Sequence, residues 1–177
     1  HNYNQGSYTV TITTTFTIGC TNVITYSAFI GSSPSPATLA LYVNQSNGCM
    51  PHSTDYTFNI PPLNVNGTTY TVTWGDGTPD TTFTHPYVPA TLSHIYNTSS
   101  CGNNVTLSGV TYYNVFQPSV ITQNPCSTPQ PSAAGLISVG QGPTASFTTS
   151  KTTICPTGSI QFNNTSNFGL TIPTATG

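Results

Sequence analysis

The chain is 177 residues long and carries one lysine, three aspartates and a net charge of −2. It has no basic surface to neutralise phosphates and no apolar run of the ~20 residues that cross a membrane, which argues against nucleic-acid binding and a transmembrane helix. The helix formers Glu and Arg are absent, while Thr, Val, Ile and Tyr are abundant, so the composition predicts a folded, all-β chain.

The N-terminal segment has the pattern of a β-hairpin. Residues 7–18 alternate hydroxyl side chains with apolar or aromatic ones, which gives a strand one wet face and one buried face. A second such run, 23–30, follows a turn at 19–22. Residues 31–36 are rich in Ser and Pro and predict a linker.

The middle of the chain contains short predicted strands separated by turn residues. The clearest turn is 75–79, where glycines permit a positive φ and Asp76 can bond the backbone. A second Pro-, Ser- and Gly-rich stretch, 125–142, predicts another linker. The predicted strands after the hairpin are 37–43, 56–60, 70–74, 81–84, 91–96, 105–116, 119–123, 145–149 and 159–163, with a further turn at 47–51.

Two pairs of segments resemble each other and indicate an internal repeat. Residues 143–162 resemble 36–58, and residues 1–4 resemble 94–97, at similar offsets. We therefore expect three units: the closing strands of one unit (1–35), a complete unit that includes the 125–142 linker (36–142), and the opening strands of a third (143–177).

A short motif in the complete unit carries a family resemblance. Tyr70-Thr71-Val72-Thr73-Trp74 leads into Gly75-Asp76-Gly77-Thr78, and His94-Ile95-Tyr96 follows. This order resembles the PKD domain, an immunoglobulin-like β-sandwich. Two further elements, Asn47-Gly48-Cys49-Met50-Pro51 and Gly6-Ser7-Tyr8-Thr9-Val10-Thr11, resemble the Cys-containing PKD repeats in large surface adhesins of gliding Bacteroidota. The resemblance implies tandem immunoglobulin-like sandwiches, one complete and two partial. The residues that it assigns to the structural motif are Trp74, Gly75, Asp76, Gly77, His94 and Tyr96.

Five cysteines occur at positions 20, 49, 101, 126 and 155, with no CxxC pair. This spacing disfavours a zinc ribbon, and in an all-β chain with almost no charge the cysteines favour an oxidising, extracellular compartment. The resemblance implies a disulfide between Cys49 and Cys101, with Cys126 as the alternative partner. Cys20 and Cys155 would then be available to pair between units.

Six Asn-x-Ser/Thr sequons are candidates for N-glycosylation. A chain in which Thr, Ser and Asn make up 70 of 177 residues also generates sequons by chance. A folded surface with almost no charge favours either glycan cover or association, because neutral strand edges pair readily with another chain. The candidate asparagines are Asn44, Asn66, Asn97, Asn104, Asn163 and Asn164.

Asp76 and Asp80 are the only closely spaced carboxylates. A glycosidase needs two carboxyl groups about 5–10 Å apart, and calcium needs several oxygen ligands. The resemblance instead assigns Asp76 to bracing the turn. We therefore expect no enzyme activity and no cofactor, with calcium at Asp76 and Asp80 as the alternative.

Trp74 has two interpretations. It could stack against a sugar, or it could anchor the core between two sheets, and its place on the strand that enters the turn favours the core. His52, His85 and His94 match no standard metal-binding spacing, and His94 belongs to the motif above, so zinc is not expected.

These observations predict a non-enzymatic, extracellular repeat at the cell surface, with a structural or adhesive role in a stalk, fibre or filament. Its partners would be further copies or neighbouring repeats of the same protein, with surface glycans as a further candidate. The alternative is a carbohydrate-binding accessory module of a secreted enzyme, which a planar row of exposed aromatic side chains would favour. The partial units allow either a long tandem array or a filament in which the ends of two copies complete one sandwich.

Overall fold

The computed structural model describes residues 2–169, in which all regular structure is β-strand. The predicted all-β class is therefore confirmed. None of these residues belongs to a helix that could span a bilayer. Residue 1, which begins the predicted first unit, and residues 170–177, which end the predicted third unit, lie outside the described part. The strands are β1 (Gly6–Thr15), β2 (Thr21–Ile30), β3 (Thr38–Leu41), β4 (Asn47–Cys49), β5 (His52–Asn59), β6 (Thr69–Thr73), β7 (Thr81–Thr84), β8 (Thr91–Tyr96), β9 (Asn104–Leu107), β10 (Val110–Tyr113), β11 (Ser119–Gln123), β12 (Gln130–Ala133), β13 (Ser138–Gly140), β14 (Phe147–Thr149) and β15 (Phe162–Asn164).

Seven strands form two antiparallel sheets that share one core. One sheet has the order β3-β5-β8 and the other the order β12-β11-β6-β7. Tyr56 stands opposite Leu92 in the first sheet, and Val72 stands opposite Val120 in the second. The core that both sheets contribute to contains Ala37, Leu39, Tyr56, Phe58, Tyr70, Val72, Trp74, Leu92 and Val120.

Alternation along each strand decides which side chains enter this core. In β5, Thr54, Tyr56 and Phe58 are buried and the residues between them are not. In β6, Tyr70 and Val72 are buried in the same way. Burying a large apolar side chain stabilises the fold by about 1.5–3 kcal/mol, so this core is the main source of the sandwich's stability.

A second, smaller core lies at one end of the sandwich. Phe116 and Ile137 exchange backbone hydrogen bonds there, and Tyr96 and Val139 are buried with them. The prediction of a linker over 125–142 is therefore wrong: β12 forms a sheet edge and β13 pairs with β4. Apolar side chains at 137 and 139 alternate into the core, which orders this segment despite its Pro, Ser and Gly content.

The strand predicted over 105–116 is two strands. β9 and β10 pair through Leu107 and Val110, which leaves a two-residue connection. Ser108 and Gly109 have φ values of 49° and 84° in that connection. Two consecutive positive φ values are typical of a type I′ turn, which closes a tight hairpin.

β1 and β2 form a two-stranded ribbon, which confirms the predicted hairpin. Directly opposed residues lie on the same face of an antiparallel pair, so the register divides the ribbon into two faces. Thr and Ser dominate one face. The other, which we call the apolar ribbon face, consists of Tyr8, Val10, Ile12, Ile24, Tyr26, Ala28 and Ile30 around a central pair of isoleucines, and at its middle Ile12 is 50% and Ile24 46% exposed.

β14 and β15 form a second ribbon, lengthened by a bridge between Thr144 and Asn167. Phe147 and Phe162 lie on one face of it, with their ring centroids 5.6 Å apart, and the two side chains are 65% and 64% exposed. The connection between these strands contains Lys151, the one cationic side chain of the sequence, in an exposed position. Neither ribbon packs extensively against another described strand.

Candidate functional site

Two glycines shape the turn that follows β6. Gly75 and Gly77 both have a φ of 83°, a conformation that residues with a Cβ rarely adopt. A Cβ at Gly75 would lie 2.8 Å from the carbonyl oxygen of Gln117, whereas a Cβ at Gly77 would meet nothing within 4 Å. The chain therefore turns tightly against the segment before β11, and Asp76 lies between the two glycines.

The Asp76 carboxylate accepts three hydrogen bonds. Its Oδ1 accepts the Thr78 backbone N–H at 3.1 Å and the Thr78 hydroxyl at 2.6 Å, and its Oδ2 accepts the His94 Nε2–H at 2.9 Å. Burial raises the pKa of Asp76, but these hydrogen bonds and the nearby His94 ring outweigh burial and hold the pKa below its ordinary value. The carboxylate thus ties the turn to β8.

The His94 ring lies flat against Trp74. The ring centroids are 4.4 Å apart and the planes differ by 5°. Trp74 is only 5% exposed, and its ring also contacts the ring of Tyr56 in the core, with the two centroids 5.6 Å apart. Trp74 is therefore a core residue, as predicted, and its ring has no open face on which a sugar could stack.

Two tyrosine hydroxyls continue this network into the core. Tyr96 donates to the Trp74 carbonyl oxygen at 3.3 Å, so its oxygen is left to accept from the Tyr56 hydroxyl at 3.1 Å. Burial, with the adjacent Tyr56 adding to it, raises the pKa of Tyr96. Burial also raises the pKa of Tyr56. Both tyrosines stay neutral, which suits their buried hydrogen bonds.

The structure brings the predicted motif residues together around the turn. An aspartate bonded to a histidine is two-thirds of a catalytic triad, but a triad also needs a nucleophile on the other ring nitrogen. In the described chain, the Thr78 hydroxyl donates to Asp76 instead, and His94 has no hydroxyl or thiol partner. The arrangement is suited to holding the turn, β6 and β8 in one geometry.

The other predicted acidic and histidine positions lie apart from this network. Asp80 is exposed beyond the turn, and His52 donates from Nε2 to the Gln45 carbonyl oxygen at 2.9 Å. His85 follows β7, and its buried Nδ1 has no partner. Within residues 2–169, no three His, Cys, Asp or Glu side chains are grouped as metal ligands.

Sequence reasoning missed a second carboxylate network, centred on Asp55 of β5. Ser93 donates to its Oδ1 at 2.5 Å, and the Gln45 amide donates to its Oδ2 at 3.4 Å while accepting the Asp55 backbone N–H. This network joins β8 and the β3–β4 connection to β5. The available signal was an aspartate on the outward side of an alternating strand, where a lone charge usually has a polar partner.

All five cysteines are unpaired in the structure, so the Cys49–Cys101 disulfide implied by the resemblance is not formed. β13 separates the two: Cys49 stands opposite Gly140 on one edge, while Ser100, next to Cys101, bonds Val139 on the other. Two strands with a third between them are about 10 Å apart, beyond the ~7 Å between Cα atoms that a disulfide spans.

The remaining cysteines occupy hairpin connections. Cys126 lies between β11 and β12 beside Asn124, which donates to the Ser32 carbonyl at the end of the sandwich where β3 begins. Cys49 follows the other end of β3, so Cys126 is no closer to Cys49 than Cys101 is. Cys20 lies between β1 and β2, and Cys155 lies between β14 and β15.

The asparagines of the six sequons are all exposed, so each is sterically open to modification. Asn44 has a φ of 66° in the turn after β3, and Asn66 lies in the loop before β6. The occupancy of these sites stays a prediction.

Searches of protein families and of curated proteins give no relatives for this chain. No family model matches it, and no curated protein is similar to it in sequence.

Proposed function

We propose that this chain is a non-enzymatic, extracellular structural or adhesive repeat of the immunoglobulin-like PKD type, part of a surface stalk, fibre or filament. One observation carries the proposal: the side chains best suited to chemistry or sugar binding are occupied in holding the sandwich. Trp74 is buried under His94, and Asp76 bonds the turn and β8. Such an arrangement contributes rigidity, which a spacer needs.

The strand order supports the immunoglobulin-like assignment. The order β3-β5-β8 corresponds to strands A, B and E of such a sandwich, and β12-β11-β6-β7 corresponds to G, F, C and C′. In this assignment Trp74 and Asp76 follow strand C and His94 lies on strand E. Under this proposal, 36–142 is one complete unit and the flanking ribbons belong to neighbouring units.

The composition supports an extracellular location with other copies or repeats of the same protein as partners. A surface of hydroxyls and amides responds little to salt because it has almost no charge to screen. The competing function, a carbohydrate-binding module, relies on an exposed planar aromatic platform. The buried position of Trp74 weighs against it.

Two measurements test this proposal, one on cells that carry the protein and one on the 177-residue chain. Electron microscopy of cells labelled with an antibody against the chain should show the label along surface fibres. Affinity electrophoresis through a panel of plant and bacterial polysaccharides should show no retardation. Retardation that is lost in Tyr87→Ala, at an exposed tyrosine, but kept in Thr82→Ala, an exposed control nearby, would overturn the proposal in favour of the carbohydrate-binding module.

A further inference from the structure

At its base the apolar ribbon face is covered by Tyr3, whose ring centroid lies 4.9 Å from that of Tyr8, and its middle, around Ile12 and Ile24, has no described strand packed extensively against it. Its ten-residue strands are about 34 Å long, and a lone two-stranded ribbon is at best marginally stable in water. The opposite, Thr-rich face is the one that meets the sandwich: a Cβ added at Gly67 would lie 3.3 Å from the Phe29 ring. The ribbon is thus fixed at its base with its apolar side outward.

The sandwich itself shows what covers such a ribbon. Its β11–β12 hairpin belongs to the sheet that shares a core with β3 and β5, where Leu39, Phe58 and Val120 meet. Leu39 and Phe58 are directly opposed in that β3–β5 pair. An antiparallel hairpin is therefore buried by a second antiparallel pair that presents large apolar side chains.

The β14–β15 ribbon is the counterpart of β3–β5. It is formed by 143–162, the segment that resembles 36–58, and Phe147 and Phe162 share one exposed face. We match the β1–β2 ribbon to β11–β12 because each is the last hairpin of its unit under the proposed division of the chain; β9–β10, which directly follows 94–97, has no counterpart after residues 1–4. The cysteine positions agree, since Cys20 and Cys126 lie in one pair of connections and Cys155 and Cys49 in the other.

Neither face carries a charged side chain, so bringing them together desolvates no ion. We propose that the apolar ribbon face binds the phenylalanine face of the β14–β15 ribbon of a second copy of this chain. Each copy offers one ribbon of each kind, so the contact is heterologous and joins copies head to tail. This inference rests on the proposed structural function and names its partner.

The size of the contact sets its strength. The β14–β15 ribbon extends over about seven residues per strand, or about 24 Å, so the two faces bury less than the about 1,200 Å² typical of stable complexes. We therefore expect weak, concentration-dependent association of the free chain. On a crowded surface, where local concentration is high, such contacts would be occupied.

Sedimentation velocity of the 177-residue chain across a wide concentration range tests the contact. We expect mass to rise beyond a dimer with concentration. Ile24→Lys puts a charge in the apolar ribbon face and should weaken association by about 100-fold. Thr25→Lys adds the same charge on the opposite face and should leave association unchanged. The near-ultraviolet circular dichroism of Trp74 reports that the sandwich is intact in both variants.

Phe162→Lys and its control Asn163→Lys make the same comparison on β15. Mixing Ile24→Lys with Phe162→Lys then leaves one intact face on each, so the mixture should form a one-to-one dimer and nothing larger. A chain that is monomeric throughout, equal effects of Ile24→Lys and Thr25→Lys, or a mixture that stays monomeric would each overturn the head-to-tail contact. None of these results bears on polysaccharide retardation or surface labelling, which test the proposed function separately.

Discussion

Asp76 is one of three acidic side chains in the sequence, and it is bonded into the fold. Its carboxylate accepts hydrogen bonds from Thr78 and His94, and the His94 ring in turn covers Trp74. An unpaired carboxylate in this position would have to give up water without compensation. The side chain is therefore part of the fold's hydrogen bonding, and its ionisation is coupled to folding.

Asp76→Asn should destabilise the chain by about 1–2 kcal/mol at pH 7, because the amide presents a donor to the His94 N–H. The folded pKa of Asp76 is lowered, so its contribution to stability is complete above the unfolded pKa of about 3.9 and is lost as pH falls through the folded pKa. Urea unfolding followed by Trp74 fluorescence at pH 7 and at pH 3 measures this. The difference between wild type and variant should shrink at pH 3.

Asp80→Asn provides the control, because Asp80 is exposed and outside the network. It should leave the unfolding midpoint unchanged at both pH values. Equal midpoints for Asp76→Asn and Asp80→Asn would contradict the brace.

Gly75 and Gly77 allow the cost of a positive φ to be measured apart from the cost of a steric clash. Both have the same positive φ, so alanine at either position should cost about 1 kcal/mol of conformational strain. Only at Gly75 would the Cβ also meet the Gln117 carbonyl oxygen. Gly75→Ala should therefore have a free energy of unfolding lower than that of Gly77→Ala by at least about 1 kcal/mol in urea titration. Equal losses would mean that the turn relaxes away from Gln117.

At this scale the sequence indicated the turn and its partners well. Asp76 could be placed because glycines on both sides of an aspartate specify a tight turn, and Trp74 because it lies on the strand that enters the turn, whereas the role of His94 came from the PKD resemblance. Asp55 could not be placed, because its partners Gln45 and Ser93 are distant in sequence and common polar types. Hydrogen bonds between side chains on different strands depend on register, which a single sequence specifies poorly.

Short strands were the elements hardest to predict. The ten-residue strands β1 and β2 follow a strict alternation and were predicted closely, but β4 and β13 are three residues each and lie among Gly, Ser and Pro. Their order comes from tertiary contacts in the second core. Local periodicity contains little information about a strand shorter than two full alternations.

Ile137→Ala tests whether the 125–142 segment belongs to the sandwich. Ile137 is fully buried beside Phe116, so removing its side chain should lower the free energy of unfolding by about 2–5 kcal/mol. Leu136→Ala, at a half-buried neighbour, should cost less. A true linker would tolerate both changes equally. If the two variants unfold at the same urea concentration, the 125–142 segment is a linker.

The arrangement around β13 also predicts the result of oxidation. Because β13 lies between Cys49 and Cys101, mild oxidation of the folded chain should give no peptide that joins the two. Peptide mapping by mass spectrometry, with and without prior unfolding in urea, measures this. A native 49–101 link would show that β13 is displaced in the oxidised protein.

Over residues 2–169, a seven-stranded sandwich lies in the chain between two separate two-stranded ribbons. The strict alternation of 7–18 and 23–30 made the first ribbon predictable, and the division of the chain into one complete and two partial repeat units stays a prediction. The disulfide did not follow, since a cysteine pair depends on which strand lies between its members. Long-range order of this kind is set by packing in three dimensions and leaves no periodic trace.

The exposed Lys151 in the β14–β15 connection has a consequence for how long such a surface lasts. With no arginine anywhere in the sequence, the bond after Lys151 is the one site for a protease that cuts beside basic residues. Digestion by trypsin would yield two fragments and leave every strand of the sandwich, from β3 to β13, on one of them. The same cut separates β14 from β15, so a trypsin-like enzyme would release copies joined through the phenylalanine face while leaving each sandwich whole.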